Sequence, residues 1–412
     1  MLFLSVLIKI WGSNQVKIEQ IINRCKELAF DLDFAYAKNW KLKDSDRILV
    51  GYMPVYFPRE LVHAAGGLAI GILGTGDGKQ IIKGDAFYQS YICHIPRGII
   101  EMALDGNLDG IDGFVFPSIC DVIRNLSGMF QIINKGKFIK YLDYPQNFSK
   151  DTGGSFYINE LKQILSELKK INGVEVTDEN MWESIRLYNF NRNLIESLYN
   201  LKQEYPWRIT TEDLYYIIRA GMVIPVEEHN DILENVLDII SIECGEPMDK
   251  IRVVITGAFC EQPPIGLIKT IEMAGCYIVD DDFLSGMRWI QGDIETGSGN
   301  PLEALSDAYL NNSRFSASVY STGNAKGKDL VELAKKRNAD GIIFAAPSFC
   351  DPALFDVPVL QKECDASNIR YVSFQYSENT GQYKVIKEQV GAFSDSIKLW
   401  EEPAVNTGIL VN

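Results

Sequence analysis

The chain is predicted to be an α/β protein in which two duplicated Rossmann/flavodoxin-like parallel-sheet domains are joined by a helical segment. Three observations carry this expectation. The word DGFVFPSICD at 112–121 returns as DGIIFAAPSFCD at 340–351. Each copy is an apolar run, as in strands buried on both faces, and each ends in Pro-Ser-x-Cys-Asp. The flanks repeat too: RILVGYMPVYFPRELVHAAGGLAIGIL (47–73) parallels RVVITGAFCEQPPIGLIKTIEMAGCYIVDDD (252–282). Both read Arg, apolar run, Gly, a loop with proline, a helix-like stretch, an Ala-Gly pair and a second apolar run. That order is strand, loop, helix, glycine stop and strand. Between the copies, NELKQILSELKKI, ENMWESIRLYNFNRNLIESLYNLKQEY and EDLYYIIRAGMVI place apolar residues at three- and four-residue steps, the period of amphipathic helices.

The expected boundaries follow: an N-terminal helical segment over 1–44, a first α/β domain over 45–155, a helical linker over 156–248 and a second α/β domain over 249–412. In the linker, Thr177 and Thr210 are expected N-caps, the latter with Asp213 three residues on. DSIKLWEE is expected to close the chain as a helix. GTGDG at 74–78 lacks dinucleotide-loop spacing and reads as a turn, as does GSGNP at 297–301. No G-x-x-x-x-G-K-[ST] occurs, so a partner must supply any nucleotide hydrolysis.

Composition bounds the function. A chain of 412 residues with 46% apolar and 23% charged content is an ordinary globular protein with room for two domains. A net charge of −15 argues against nucleic acid or an anionic membrane as the main partner. The opening MLFLSVLIKI is interrupted by Lys9 and is too short to span a bilayer. It reads as a packed terminal segment or the product of an early start codon, and a cytoplasmic location is expected. Histidine is confined to His63, His94 and His229, which leaves little material for multi-histidine zinc sites or a Ser-His-Asp triad.

Eight cysteines scattered along such a chain are thiols, metal ligands or nucleophiles rather than a disulfide framework. Cys93, Cys120 and Cys350 follow apolar runs or lie in loop-like segments. A lone cysteine is commonly a small buried hydrophobe, but burial alone does not require the same Pro-Ser-x-Cys-Asp frame twice. Three thiolates without histidine partners suit a soft metal or iron–sulfur site better than zinc catalysis. Cys260, in the loop after the first strand of the second half, is a candidate fourth or auxiliary ligand. Cys276 and Cys364 are weaker candidates that also read as core residues, while Cys25 and Cys244 read as structural. The competing chemistry is a cysteine nucleophile, for which His94 beside Cys93 is the available base. Asp280, Asp281 and Asp282 read either as a Mg²⁺ site or as a solvated strand end.

With these residues in place, YICHIPRG, FPSICDVIRN, YLDYPQNF, FCEQPP, CYIVDDDF and FAAPSFCDPALF resemble the 2-hydroxyacyl-CoA dehydratase / benzoyl-CoA reductase family. They look most like the larger catalytic-core subunit (designated B) of its ATP-dependent reductases. The resemblance runs from about residue 45 to Trp400. It implies two α/β domains with a 4Fe–4S cluster between them, held by Cys93, Cys120 and Cys350. Relatives with a double-cubane 8Fe–9S cluster need six cysteines, for which Cys260, Cys276 and Cys364 are the candidates here. Ser118, Asp121, Ser348 and Asp351 are candidates to hydrogen-bond cluster sulfurs and raise the potential, or else to cap the following helices. Arg97 and Arg124 read as steering residues for CoA phosphates or a partner, or as surface ion pairs.

The implied activity is reduction of the ring of benzoyl-CoA to a cyclohexadiene-carbonyl-CoA in anaerobic aromatic degradation. Ferredoxin electrons would arrive through iron–sulfur ATPase activator subunits, and a homologous smaller core subunit would complete the enzyme. The alternatives are a 2-hydroxyacyl-CoA dehydratase subunit, a double-cubane reductase of small molecules, and a noncatalytic electron-relay or scaffold subunit. Neither nucleic acid nor a membrane is an expected partner. The duplication is incomplete, since Cys93 has no evident twin in the second half and Cys260 none in the first.

Overall fold

Eight short apolar runs form two four-stranded parallel sheets in the computed structural model. It describes residues 2–53, 55–242, 245–258, 263–297, 299–321, 324–377 and 382–400. The first sheet holds β1 (Leu49–Tyr52), β2 (Leu68–Gly71), β3 (Gly113–Pro117) and β4 (Phe138–Leu142) in the order β2-β1-β3-β4. The second holds β5 (Ile251–Thr256), β6 (Cys276–Asp280), β7 (Gly341–Pro347) and β8 (Arg370–Tyr376) in the order β6-β5-β7-β8. The two orders are the same, so the expected duplication covers whole sheets. In each, the chain reverses its direction of travel between the two central strands, β1 and β3 or β5 and β7. Parallel α/β sheets open their ligand crevice at that reversal, beyond the carboxyl ends of the strands.

Helices cover the sheets, as parallel strands require. The first half carries α1 (Leu2–Phe30), α2 (Ala35–Lys41), α3 (Glu60–Ala64), α4 (His94–Leu104) and α5 (Asp121–Ile133). The linker is α6 (Ser155–Asn172), α7 (Asp178–Glu204), α8 (Thr211–Ala220) and α9 (Val226–Ile242). The second half carries α10 (Ile265–Met273), α11 (Pro301–Asn312), α12 (Ala325–Lys336), α13 (Asp351–Ala366) and α14 (Tyr383–Trp400). Both expected threonine caps form: Thr177 in a reciprocal capping box with Asn180, and Thr210 accepting from the Asp213 N–H. Asn300 caps α11 with Pro301 in its first turn. The linker closes the open edge of the first sheet, where the Gly71 N–H donates to the Met222 carbonyl at 2.8 Å. No described helix is long and apolar enough to cross a membrane.

Each residue of the repeated word has a mechanical reason. Its first aspartate ties a neighbouring strand: Asp112 Oδ2 accepts from the Leu49 N–H at 2.8 Å and Asp340 Oδ2 from the Arg252 N–H at 2.6 Å. The glycine makes room for a neighbouring aromatic ring, because a Cβ on Gly113 would lie 2.8 Å from the Phe138 ring of the paired strand and one on Gly341 2.6 Å from Phe393 of α14. The proline is the last residue of the strand, where a missing donor costs least. The serine N–H then extends the ladder, donating from Ser118 to Leu142 at 2.9 Å and from Ser348 to Tyr376 at 2.7 Å. One detail of the expected alignment shifts. Val50 pairs with Gly113 and Val253 with Gly341, so Arg47 and Arg252 are not equivalent; the halves match two residues out of that register.

The halves meet through stacked aromatic rings. Tyr56, Tyr144 and Tyr157 come from the first half and its junction with the linker, and Trp289 and Tyr309 from the second. Tyr56 lies 5.7 Å from Trp289 and Tyr144 5.1 Å from Tyr309, both near parallel. The same seam brings backbone against backbone, since a Cβ on Gly286 would sit 1.6 Å from the Val55 carbonyl oxygen. Gly286→Ala is therefore expected to destabilise the protein by about 2–3 kcal/mol, checked by urea unfolding monitored through tryptophan fluorescence.

Candidate functional site

Cys93, Cys120 and Cys350 share a structural role that spacing did not reveal: each immediately precedes a helix. Cys93 is the N-cap of α4, Cys120 of α5 and Cys350 of α13. The last two also follow β3 and β7, the inner strand of each sheet at its reversal, so the two halves aim the same residue at a common crevice. A helix N-terminus presents unpaired N–H groups and partial positive charge, which favours a thiolate or an anionic group beside it.

The thiols gather. Burial pushes the Cys120 thiol above its ordinary pKa, the N–H groups of Ile123 and Val122 work against that, and Cys350 lies close enough to raise it further. Tyr88 is pushed up chiefly by burial, and then by the nearby Cys93 and Cys120. Cys350 is buried, and Cys93 and Cys120 are half-buried. Among the described residues, no three His, Cys, Asp or Glu side chains close on a single metal-ion position.

The other candidate cysteines are not brought there. Cys276 is the first residue of β6, roughly 13 Å of strand from the carboxyl end, beside Lys250 and Lys398. Cys364 lies near the far end of α13, about 20 Å along the helix from Cys350, and is buried in a separate core cluster. Both are core residues placed by hydrophobic packing. Cys260 and Cys244 lie outside the described residues.

The polar frame of the word also resolves. Ser118 Oγ accepts from the Tyr144 N–H at 2.9 Å, so it anchors the loop after β4 and caps no helix. Asp121 and Asp351 are the first residues of their helices and both are exposed. There they favour the helix dipole and are solvated. Arg97 pairs with Asp85 at 2.9 Å, and Arg124 lies 3.8 Å from Asp121 at the surface. Arg124 forms a surface ion pair, whereas Arg97 is mostly buried.

The Asp280–Asp282 run is neither a solvated strand end nor a cation site. Asp280 and Asp281 are buried and Asp282 nearly so, and each has protein partners. Asp280 receives Arg337 Nε at 2.7 Å and Arg288 Nη1 at 2.8 Å, with Arg314 Nη2 at 3.5 Å. Asp281 accepts from the Tyr199 hydroxyl at 3.0 Å. Asp282 accepts from Thr256 Oγ1 at 3.0 Å, the Gly257 N–H at 2.7 Å and the Ala258 N–H at 3.2 Å, which fixes the loop leading to Cys260. The buried histidine is structural as well. His229 is held neutral, its pKa pushed down to about 3 chiefly by burial and then by Arg59. His63 bridges Ser184 and Glu227 at 2.7 and 3.0 Å, but Ser184 is buried inside α7 and cannot meet a substrate.

The sequence has known counterparts. Residues 54–397 match the family model described as 2-hydroxyglutaryl-CoA dehydratase, D-component. The chain belongs to that family. It is 49% identical over 381 residues to a benzoyl-CoA reductase subunit (designated C) of Thauera aromatica, covering 92% of this chain and 98% of the relative. It is 28% identical to the (R)-phenyllactyl-CoA dehydratase beta subunit of Clostridium sporogenes, over 84% of this chain and 91% of the relative. It is also 28% identical to the beta subunit of the (R)-2-hydroxyglutaryl-CoA dehydratase of Acidaminococcus fermentans, over 87% and 94%. The family expectation from the motifs holds, and the chain is an enzyme subunit of the oxidoreductase/dehydratase kind. The motifs point to the reductase subunit designated B, whereas the 49% identical relative is the one designated C; the match falls on the same enzyme but on a differently lettered subunit.

Proposed function

We propose that this chain is an iron–sulfur subunit of an ATP-dependent benzoyl-CoA reductase, equivalent to the subunit it resembles at 49% identity. The observation that carries the proposal is that Cys93, Cys120 and Cys350, drawn from both halves of the duplication, each begin a helix, with Cys350 acting on the Cys120 thiol. They fit a 4Fe–4S cluster in two respects. A cubane offers a separate iron to each thiolate, which suits cysteines drawn from three separate helix starts. Its anionic core suits three helix N-termini. With Cys276 and Cys364 far from the trio, the described residues offer no support for a six-cysteine double cubane.

When bound, the cluster would supply a low-potential electron. The chain's own contribution is to hold it. The two sheets deliver Cys120 and Cys350, α4 delivers Cys93, and the aromatic seam of Tyr56, Tyr144, Tyr309 and Trp289 locks the halves so that ligands from both keep their spacing. The absence of a Walker motif fits a division of labour in which activator subunits hydrolyse ATP and pass on ferredoxin electrons. A homologous second core subunit and the acyl-CoA substrate complete the set of proposed partners.

The test is anaerobic purification of the chain with its copurifying subunits, then iron and sulfide counting and turnover. About four irons per chain and ATP-dependent loss of benzoyl-CoA are expected. A chain without iron overturns the cluster. Dehydration of 2-hydroxyacyl-CoA with no reduction of benzoyl-CoA overturns the reductase reading in favour of the activity borne by the 28% identical relatives.

A further inference from the structure

Tyr88 carries a buried hydroxyl with no hydrogen-bond partner. Buried polar atoms without partners are uncommon and call for an explanation. The ring packs against the core of the first half, on the short segment between a tight turn at Gly84–Ala86 and the start of α4. That segment is fastened to α4 itself. The buried carboxylate of Glu101 accepts from the N–H groups of Ile82 and Gly84 at 2.9 and 2.8 Å. A Cβ on Gly84 would lie 2.1 Å from the Arg97 carbonyl oxygen, so turn and helix are in backbone contact. Tyr88 is therefore held by the helix that begins at Cys93. Its hydroxyl is in electrostatic reach of Cys93 and Cys120, one cysteine from a helix start and one from a strand end.

The other tyrosines of the first half with unpartnered buried hydroxyls, Tyr56 and Tyr157, belong to the aromatic seam, where their rings account for their place. Tyr88 has no ring partner of that kind among the described residues. Its unpartnered hydroxyl is a buried donor on the segment leading into Cys93, whereas Asp121 faces solvent. A hydroxyl donor beside cluster sulfur stabilises the reduced, more negative state and so raises the reduction potential.

We infer that Tyr88 is a positioning residue whose hydroxyl donates a hydrogen bond to the sulfur framework held by Cys93 and Cys120 and sets its reduction potential. The inference rests on the cluster reading above, and its test separates the two. Tyr88→Phe is made in the complete, anaerobically purified complex, and the cluster is followed by an EPR-monitored redox titration. The expected result is unchanged iron and sulfide per chain, a midpoint shifted to more negative potential, and loss of one exchangeable proton coupling seen by ENDOR in the unaltered protein. An unmoved midpoint with iron retained overturns the role of Tyr88 and leaves the cluster standing. Iron missing from the unaltered protein overturns both. If Tyr88→Phe itself loses iron, 3-fluorotyrosine at position 88 keeps ring and hydroxyl while strengthening the donor. A shift to less negative potential then supports the role, and no shift overturns it.

Discussion

Cys120→Ala is expected to strip the complex of most of its iron and to lower ring reduction by more than ~100-fold, since even outer neighbours of a metal site cost 10–100-fold when removed. The effect should be large because Cys350 influences Cys120 directly, and Tyr88 senses Cys120 together with Cys93. Removing it also leaves the N–H groups of Val122 and Ile123 at the start of α5 facing no sulfur. Iron and acid-labile sulfide per chain, measured before any assay, check the prediction. Cys276→Ala is the matched control. That thiol is fully buried at the opposite end of its sheet, so its loss should cost a little stability and no iron. Equal iron loss in both variants would remove the trio from its role.

Asp280→Asn is expected to cost about 3–5 kcal/mol of folding stability, the range for a buried ion pair stripped of one partner. The carboxylate is fully buried, and three guanidinium groups, from Arg288, Arg314 and Arg337, converge on it. Asparagine preserves the shape but leaves that positive charge uncompensated. Urea unfolding at pH 7 reads the loss, and Asp121→Asn at an exposed helix start should stay within about 0.5 kcal/mol. The pH dependence has a definite sign. Burial alone would raise the Asp280 carboxyl, but Arg288 and Arg314 outweigh it and hold it well below the ordinary 3.8. The stabilisation is therefore complete above about 4 and fades only as the pH falls toward the depressed folded-state value. The adjacent Asp281 runs the other way. Burial, and then Asp280, push it up to about 6, so its contribution is full below 3.8 and is lost as the pH rises through about 6.

Much of this was legible in the chain because parallel sheets write themselves plainly. A strand buried on both faces must be apolar throughout, so DGFVFP and DGIIFAAP announced β3 and β7, and the Ala-Gly pairs announced the helix ends, where Gly66 and Gly275 adopt φ of +73° and +92°. The places of Cys120 and Cys350 were legible for the same reason, since each lies just past a buried strand and at the start of the next helix. What could not be read was which end of an element a residue occupies. Cys276 opens β6 and Cys364 closes α13, and a count of cysteines carries no such information. The aspartate run was misread because its partners lie 8, 34 and 57 positions away. Adjacency in sequence displays like charges and conceals the cations that fold in later. Tyr88 left a faint signal, an aromatic five residues before Cys93, but its missing partner is a property of the folded interior alone.

The spacer in Pro-Ser-x-Cys-Asp divides the two copies. Ile119 is buried, whereas Phe349 is half exposed and holds a left-handed backbone at φ +68°, a conformation that costs a bulky residue roughly 1–2 kcal/mol. In the vocabulary of gene duplication, one copy kept its spacer as ballast for the core and the other released it. A mutational scan of the pair should therefore be lopsided. Position 119 will demand an aliphatic side chain, while position 349 will accept glycine or asparagine with a gain in stability. An identical word, once copied, has become two separate specifications.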